Sequence, residues 1–138
     1  MTIIADSISS ASAATVIAAA QAKADAIGIA ANIAVTDAGT HLKSFVRMDG
    51  AVLGSIDVAT AKARTSVLFA IPSADVWAYC QPGAPAPNLQ ASNGGLMPFP
   101  GGLPIIAHGT LIGAVGVSGG SPSQDLEIAQ AAVAALAD

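Results

Sequence analysis

Cations are scarce in this chain, and they are not scattered. Of its five lysines and arginines, Lys43, Arg47, Lys62 and Arg64 fall within 22 residues, and His41 stands just ahead of them. Clustered cations in an acidic protein suit a small anion such as a carboxylate; pairing with the nearby Asp49 and Asp57 is the competing use for them. Alternation along an extended "HLKSFVRM" segment puts His41, Lys43, Phe45 and Arg47 on one face and Leu42, Ser44, Val46 and Met48 on the other. In that setting Arg47 is the clamp for a carboxylate or enolate oxygen, because a guanidinium offers a planar fork of donors. Asp49 or His41 is the group to move a proton, and Lys62 the group to stabilise negative charge. Isomerisation, hydration or lyase chemistry on a small oxygenated acid needs no more than these. Whether the chain is an enzyme at all stays open on this ground.

Other chemistries find less support. The two histidines stand 67 positions apart, and neither a zinc-type ligand spacing nor a His-Glu-x-x-His helix is present, so no metal site is expected. His41 is suited to proton transfer or to iron coordination, whereas His108 sits in a tight turn and is expected in solvent. Met48, Tyr79 and Cys80 are of types that ligate haem iron, with packing as the competing role for each. "GGLMPFPGGLP" (Gly94 to Pro104) is rich in glycine and proline, but Gly101-Gly102 leads into Leu-Pro and a strand, which excludes a phosphate loop or dinucleotide fingerprint. Gly101, Gly102, Phe99 and Leu103 are instead expected to wall a pocket close to a subunit interface, with Pro98 and Pro100 holding Phe99 and Met97 in place. Gly119-Gly120 precedes a helix start and is a minor candidate for anion binding, weakened by Pro122.

Composition bounds the partners. The 138 residues suit one domain spanning the whole chain. Hydrophobic residues make up 53% and charged residues only 10%, too few polar groups to cover a monomer, so a homo-oligomer is expected. A net charge of -4 argues against nucleic acid or an anionic membrane as partner. One cysteine excludes an intrachain disulfide and fits a reducing compartment. The apolar run from Ser9 to Ala22 follows Asp6 with no positive flank, which reads as neither a leader nor a membrane span, so a cytoplasmic chain is expected.

The elements that must position these residues follow from periodicity. A first helix is predicted over Ser7–Ile27, capped by Ser7 or Ser9 and packing through Ala13, Val16 or Ile17, Ala20, Ala24 and Ile27. A hairpin follows, Ile29–Thr36 and Thr40–Met48 around Asp37-Ala38-Gly39. The second helix is predicted over Ser55–Ala70 with Ser55 as N-cap, and Lys62 beside its packing stripe looks inward over the hairpin. Ser73 caps a short helix, Ala74–Cys80. Residues 81–102 have no period, and a loop this long in one domain is functional or disordered. A second hairpin, Leu103–Ala107 and Thr110–Ser118, carries Gly113 and Gly116 at a bulge or close backbone approach. The last helix starts at Pro122 and runs to Ala137. Hairpins separated by helices make an antiparallel sheet with helices packed on it, an α+β fold.

Four segments carry a family resemblance: Val35 to Ala51, Ser55 to Ser66, Gly101 to Ile105 and Gly113 to Asp125. They resemble, in the same order and over nearly the whole chain, the GlcG/HbpS-like family, also called the haem-degrading domain family. The resemblance implies a profilin- or PAS-like sandwich with a central antiparallel sheet flanked by helices, assembled as tetramers to octamers. It also implies two functions beside the small-acid site: haem or tetrapyrrole binding without turnover, in which the cations pair with propionates, and an accessory oligomer that stabilises a pathway enzyme.

Overall fold

Ser9 opens the first helix: its Oγ accepts a hydrogen bond from the Ser12 amide. From there α1 runs over Ser10–Ala26 in the computed structural model, which describes residues 7–136. Its buried residues are Ala13, Val16, Ala20 and Ala24, the spacing of one helical face. Ile27 is the C-cap, and Gly28 follows in the left-handed region that ends helices.

Four strands form one open antiparallel sheet in the order β2-β1-β4-β3: β1 (Asn32–Asp37), β2 (Leu42–Arg47), β3 (Gly102–Ala107) and β4 (Thr110–Ser118). On one face Ile33, Val35, Ile105, Val115 and Val117 pack against α1 and against α4 (Pro122–Ala134), forming the main core. Each such side chain stabilises the fold by about 1.5–3 kcal/mol when fully buried. On the other face Ala34, Ala114 and Gly116 lie under α2 (Ser55–Phe69). Helix α2 sits so close to β4 that a Cβ on Gly116 would strike the carbonyl of Ala59, which is the backbone approach the glycine allows. The α+β sandwich expected from the sequence is the one observed.

The β1–β2 register corrects one expectation. Ser44 pairs with Val35 and Leu42 with Thr36, so Lys43 is an extra residue in β2, a β-bulge. The bulge breaks the shared face of His41, Lys43, Phe45 and Arg47. Phe45 and Arg47, opposite Ala34 and Asn32, share the α2-side face with Leu42 instead.

The remaining elements are trimmed rather than moved. Ser55 is not the cap of α2 but its first residue, with Gly54 at the N-cap and no side-chain cap bond. After Ala70, which is left-handed, a 3-10 turn (Ser73–Val76) leads into the four-residue α3 (Trp77–Cys80). Ser73 does not cap that turn; its Oγ lies 2.5 Å from the Phe99 carbonyl and accepts the Gly102 amide at 2.9 Å. The long aperiodic loop is ordered by such bonds. Thr65 Oγ1 on α2 accepts the Met97 amide at 2.9 Å, Arg64 donates to the Asn93 carbonyl at 3.0 Å, and Leu96 packs with Val76 and Cys80. Helix α4 starts with a capping box between Ser121 and Gln124; its expected end at Ala137 lies outside the described residues.

Candidate functional site

Three of the sequence-selected residues, Lys62, Gly101 and Gly102, come together at one end of the sheet. Lys62 leaves α2, passes the first residues of β3 and reaches α4 on the opposite side of the sheet. Its Nζ donates to the Val117 carbonyl at 2.8 Å and to Asp125 Oδ2 at 3.0 Å. The second oxygen of Asp125 accepts the Gly120 amide at 2.8 Å. Both side chains of this ion pair are nearly closed to solvent. Burial pulls the Lys62 ammonium below the ordinary lysine value of 10.5, and the charge and hydrogen bond of Asp125 oppose that pull.

This geometry corrects two sequence expectations. Lys62 does not look over the β1–β2 hairpin; its charge is engaged by protein groups and holds two helical layers together. Gly101 and Gly102 are buried, and protein atoms occupy the space their side chains would fill. A Cβ on Gly101 would lie 2.5 Å from the Val117 carbonyl and 2.9 Å from Lys62 Nζ, and one on Gly102 would strike the Lys62 carbonyl. Gly101 thus leaves room for the Lys62 ammonium, and Gly102 lets the α2 backbone and Ser73 close onto the start of β3. Leu103, expected in a pocket wall, is partly buried and packs against the main core.

The exposed members of the expected set are His41, Arg47, Asp49 and Phe99. Arg47 ends β2 at the Asn32 side of the sheet, Asp49 lies in the turn just beyond, and neither forms an ion pair among the described residues. His41 lies at the other end of β2. Six residues of strand separate it from Arg47, about 20 Å at ~3.3 Å per residue. A small acid held by Arg47 is therefore out of range of His41.

The donor set admits a haem, in a restricted way. Met48 is buried with its sulfur 3.4 Å from the Ala31 amide, and Cys80 is buried in the loop cluster, so neither side chain is presented. His41 is presented: its side chain is 84% exposed, with Nδ1 3.7 Å from Asp37 Oδ1. At that distance Asp37 does not hydrogen-bond the imidazole; its Oδ1 accepts the Gly39 and His41 amides at 2.9 Å, and the exposed ring is left free to meet a ligand. Lys43 is exposed two residues on. No cluster of three or more metal-ligating side chains occurs among the described residues.

Sequence reasoning singles out neither Asp125 nor Asn32. Asp125 stands 63 positions from Lys62, and no local pattern connects them. Asn32 is a polar residue opening a buried strand, and that placement was the one available signal.

Fold and site together define a layered α+β domain that keeps its buried charges for its own architecture and offers Lys43 and Arg47 on the edge strand β2. The chain belongs to the family described as haem degrading protein HbpS-like, whose model matches residues 8–134. It is 38% identical over 116 residues to an uncharacterised 15.0 kDa protein of the dhaT-dhaS intergenic region of Citrobacter freundii, covering 83% of this chain and 82% of that one. It is 35% identical over 120 residues to the corrinoid adenosyltransferase PduO of the same organism, covering 86% of this chain but 36% of that relative. Among solved structures, the PduOC:heme complex superposes with a TM-score of 0.90 at 32% identity, covering 94% of this chain and 95% of that one. No helix among the described residues is long and apolar enough to cross a membrane.

Proposed function

We propose that this chain is a tetrapyrrole-binding domain, with haem or a corrinoid as the ligand class. The observation that carries the reading is the likeness, over nearly the full length of both chains, to a protein solved with heme. The exposed side chain of His41 supports it from the chain's own residues. His41 would hold the iron and Lys43 would pair with a propionate; the bound group would supply redox or small-ligand-binding chemistry. Titration with haem tests this: a Soret shift saturating at stoichiometric protein and lost in His41→Ala is expected. No shift, or one indifferent to that substitution, sinks it.

A second reading is favoured by Arg47, an exposed cation without an ion pair among the described residues, two positions before Asp49. Here a small oxygenated acid binds, Arg47 takes its carboxylate, and Asp49 moves a proton in isomerase, hydratase or lyase fashion. Phe99, half exposed on its proline-flanked loop, leads into β3 at the opposite edge of the sheet from β2, so within one protomer it lies apart from both sites. Unchanged binding of a found acid in Arg47→Ala and Asp49→Ala excludes this site. Exposed Leu42, Val52, Leu53 and Ile106 support a homo-oligomer of four to eight copies, to be measured by light scattering. A single buried cysteine favours a reducing compartment such as the cytoplasm, which cell fractionation tests, and a stabilising role toward a pathway enzyme is read by co-purification.

A further inference from the structure

Asn32 is fully buried, yet its side-chain oxygen has no hydrogen-bond partner among the described residues. Its Nδ2 donates to the Val52 carbonyl at 3.1 Å, the same carbonyl that accepts the Ser55 amide at the start of α2. That bond decides how the amide is turned, since the reverse orientation would set two oxygens against each other. The open group is an acceptor, and what it lacks is a donor. Buried polar groups left in this state are uncommon and point to a missing partner.

Register puts Arg47 directly opposite Asn32 on the same face of the sheet, where cross-strand Cβ atoms stand about 5 Å apart. Arg47 is exposed and forms no ion pair among the described residues, and α2 packs over β4, β1 and β3 while β2 lies at the sheet edge. A cation in need of acceptors thus stands beside a neutral acceptor in need of a donor. We propose that Asn32 and Arg47 form one binding site for a small carboxylate bearing an O–H or N–H donor next to the carboxylate. The carboxylate takes the Arg47 fork, and the neighbouring donor takes Asn32 Oδ1. A simple carboxylate offers acceptors alone and leaves Asn32 unmatched. Because Asn32 is closed to solvent, the donor reaches it only when the groups covering the strand end move aside, which restricts the ligand to a few heavy atoms. An internal water is the competing partner for Oδ1, and it confers no selectivity among acids.

This inference rests on the small-acid reading, and the test separates the two. The 15N-labelled full chain is titrated to millimolar excess with lactate, 2-methoxypropionate and propionate, following the Asn32 side-chain amide and the Arg47 Nε–H. The Asn32 signals are assigned by their loss in Asn32→Leu. Lactate should move both signals and bind about tenfold more tightly than the two acids without a donor. Arg47→Gln should abolish binding of all three. Equal affinity of lactate and 2-methoxypropionate for the unmodified chain, the result an internal water predicts, overturns the role of Asn32 and leaves the small-acid reading standing. Failure of all three acids to move the Arg47 signal overturns both. The comparison of acids needs no variant, so poor folding of Asn32→Leu does not weaken it.

Discussion

Replacing Lys62 with methionine keeps most of the side-chain volume and removes the charge. In the folded chain this leaves the Asp125 carboxylate buried, with Oδ1 on the Gly120 amide and Oδ2 without its ammonium, and it also strips the Val117 carbonyl of a donor. Breaking a buried pair from one side costs about 3–5 kcal/mol, because the remaining charge is stranded in a poorly solvated place. Against a total stability of about 5–15 kcal/mol for a domain, that is a large fraction. Asp125→Leu alone strands the ammonium in the same way. The double variant Lys62→Met/Asp125→Leu has no stranded charge and loses the bonds to Val117 and Gly120, each unmatched group costing about 1–3 kcal/mol. The double variant should therefore lose less than the sum of the two singles, with a coupling energy at the upper end of the usual range, about 3 kcal/mol or more. Urea unfolding of the four proteins at one protomer concentration measures it. A loss below about 1 kcal/mol for Lys62→Met, or strict additivity across the cycle, would refute the claim that this pair joins the helical layers.

The same lysine gives a pH prediction with a definite sign. Its folded-state pKa lies below the unfolded value of 10.5, so on the alkaline side the folded chain releases this proton first. The unfolded chain then binds more protons, and the contribution of Lys62 to stability rises with pH as 10.5 is approached from below. Wild type should gain on Lys62→Met between neutral and alkaline pH in the urea midpoint, and a narrowing difference contradicts the assignment. Gly101→Ala places a Cβ 2.5 Å from the Val117 carbonyl at a positive φ, and should cost more than about 2 kcal/mol in thermal or urea unfolding. Gly109→Ala has a positive φ but nothing within 4 Å, so it should cost only the left-handed penalty of about 1–2 kcal/mol. Ser121→Ala removes the Oγ that accepts the Gln124 amide and should cost about 1 kcal/mol, read by the same denaturation.

Helix α1, strand β4 and the start of α4 were legible in the sequence because each is specified locally. Ala13, Val16, Ala20 and Ala24 repeat at the helical period, Thr110–Ser118 alternates around its glycines, and Ser121-Pro122 with Gln124 is a capping box in plain order. The β2 face was misread because a bulge leaves no mark in the alternation; it is settled by how β1 and β2 pair, and Lys43 is the residue left over.

What the sequence by itself determined is the class of fold and the scarcity and clustering of its cations, since periodicity and composition depend on neighbours along the chain. What only the tertiary structure decided is the use of each cation. Lys62 is taken by Asp125 63 positions away, Arg64 by the Asn93 carbonyl, and Arg47 is left at the surface beside the unmatched oxygen of Asn32. Those outcomes depend on which groups packing removes from water and which partners it brings within about 3 Å, where a hydrogen bond forms. No spacing along the chain encodes that distance.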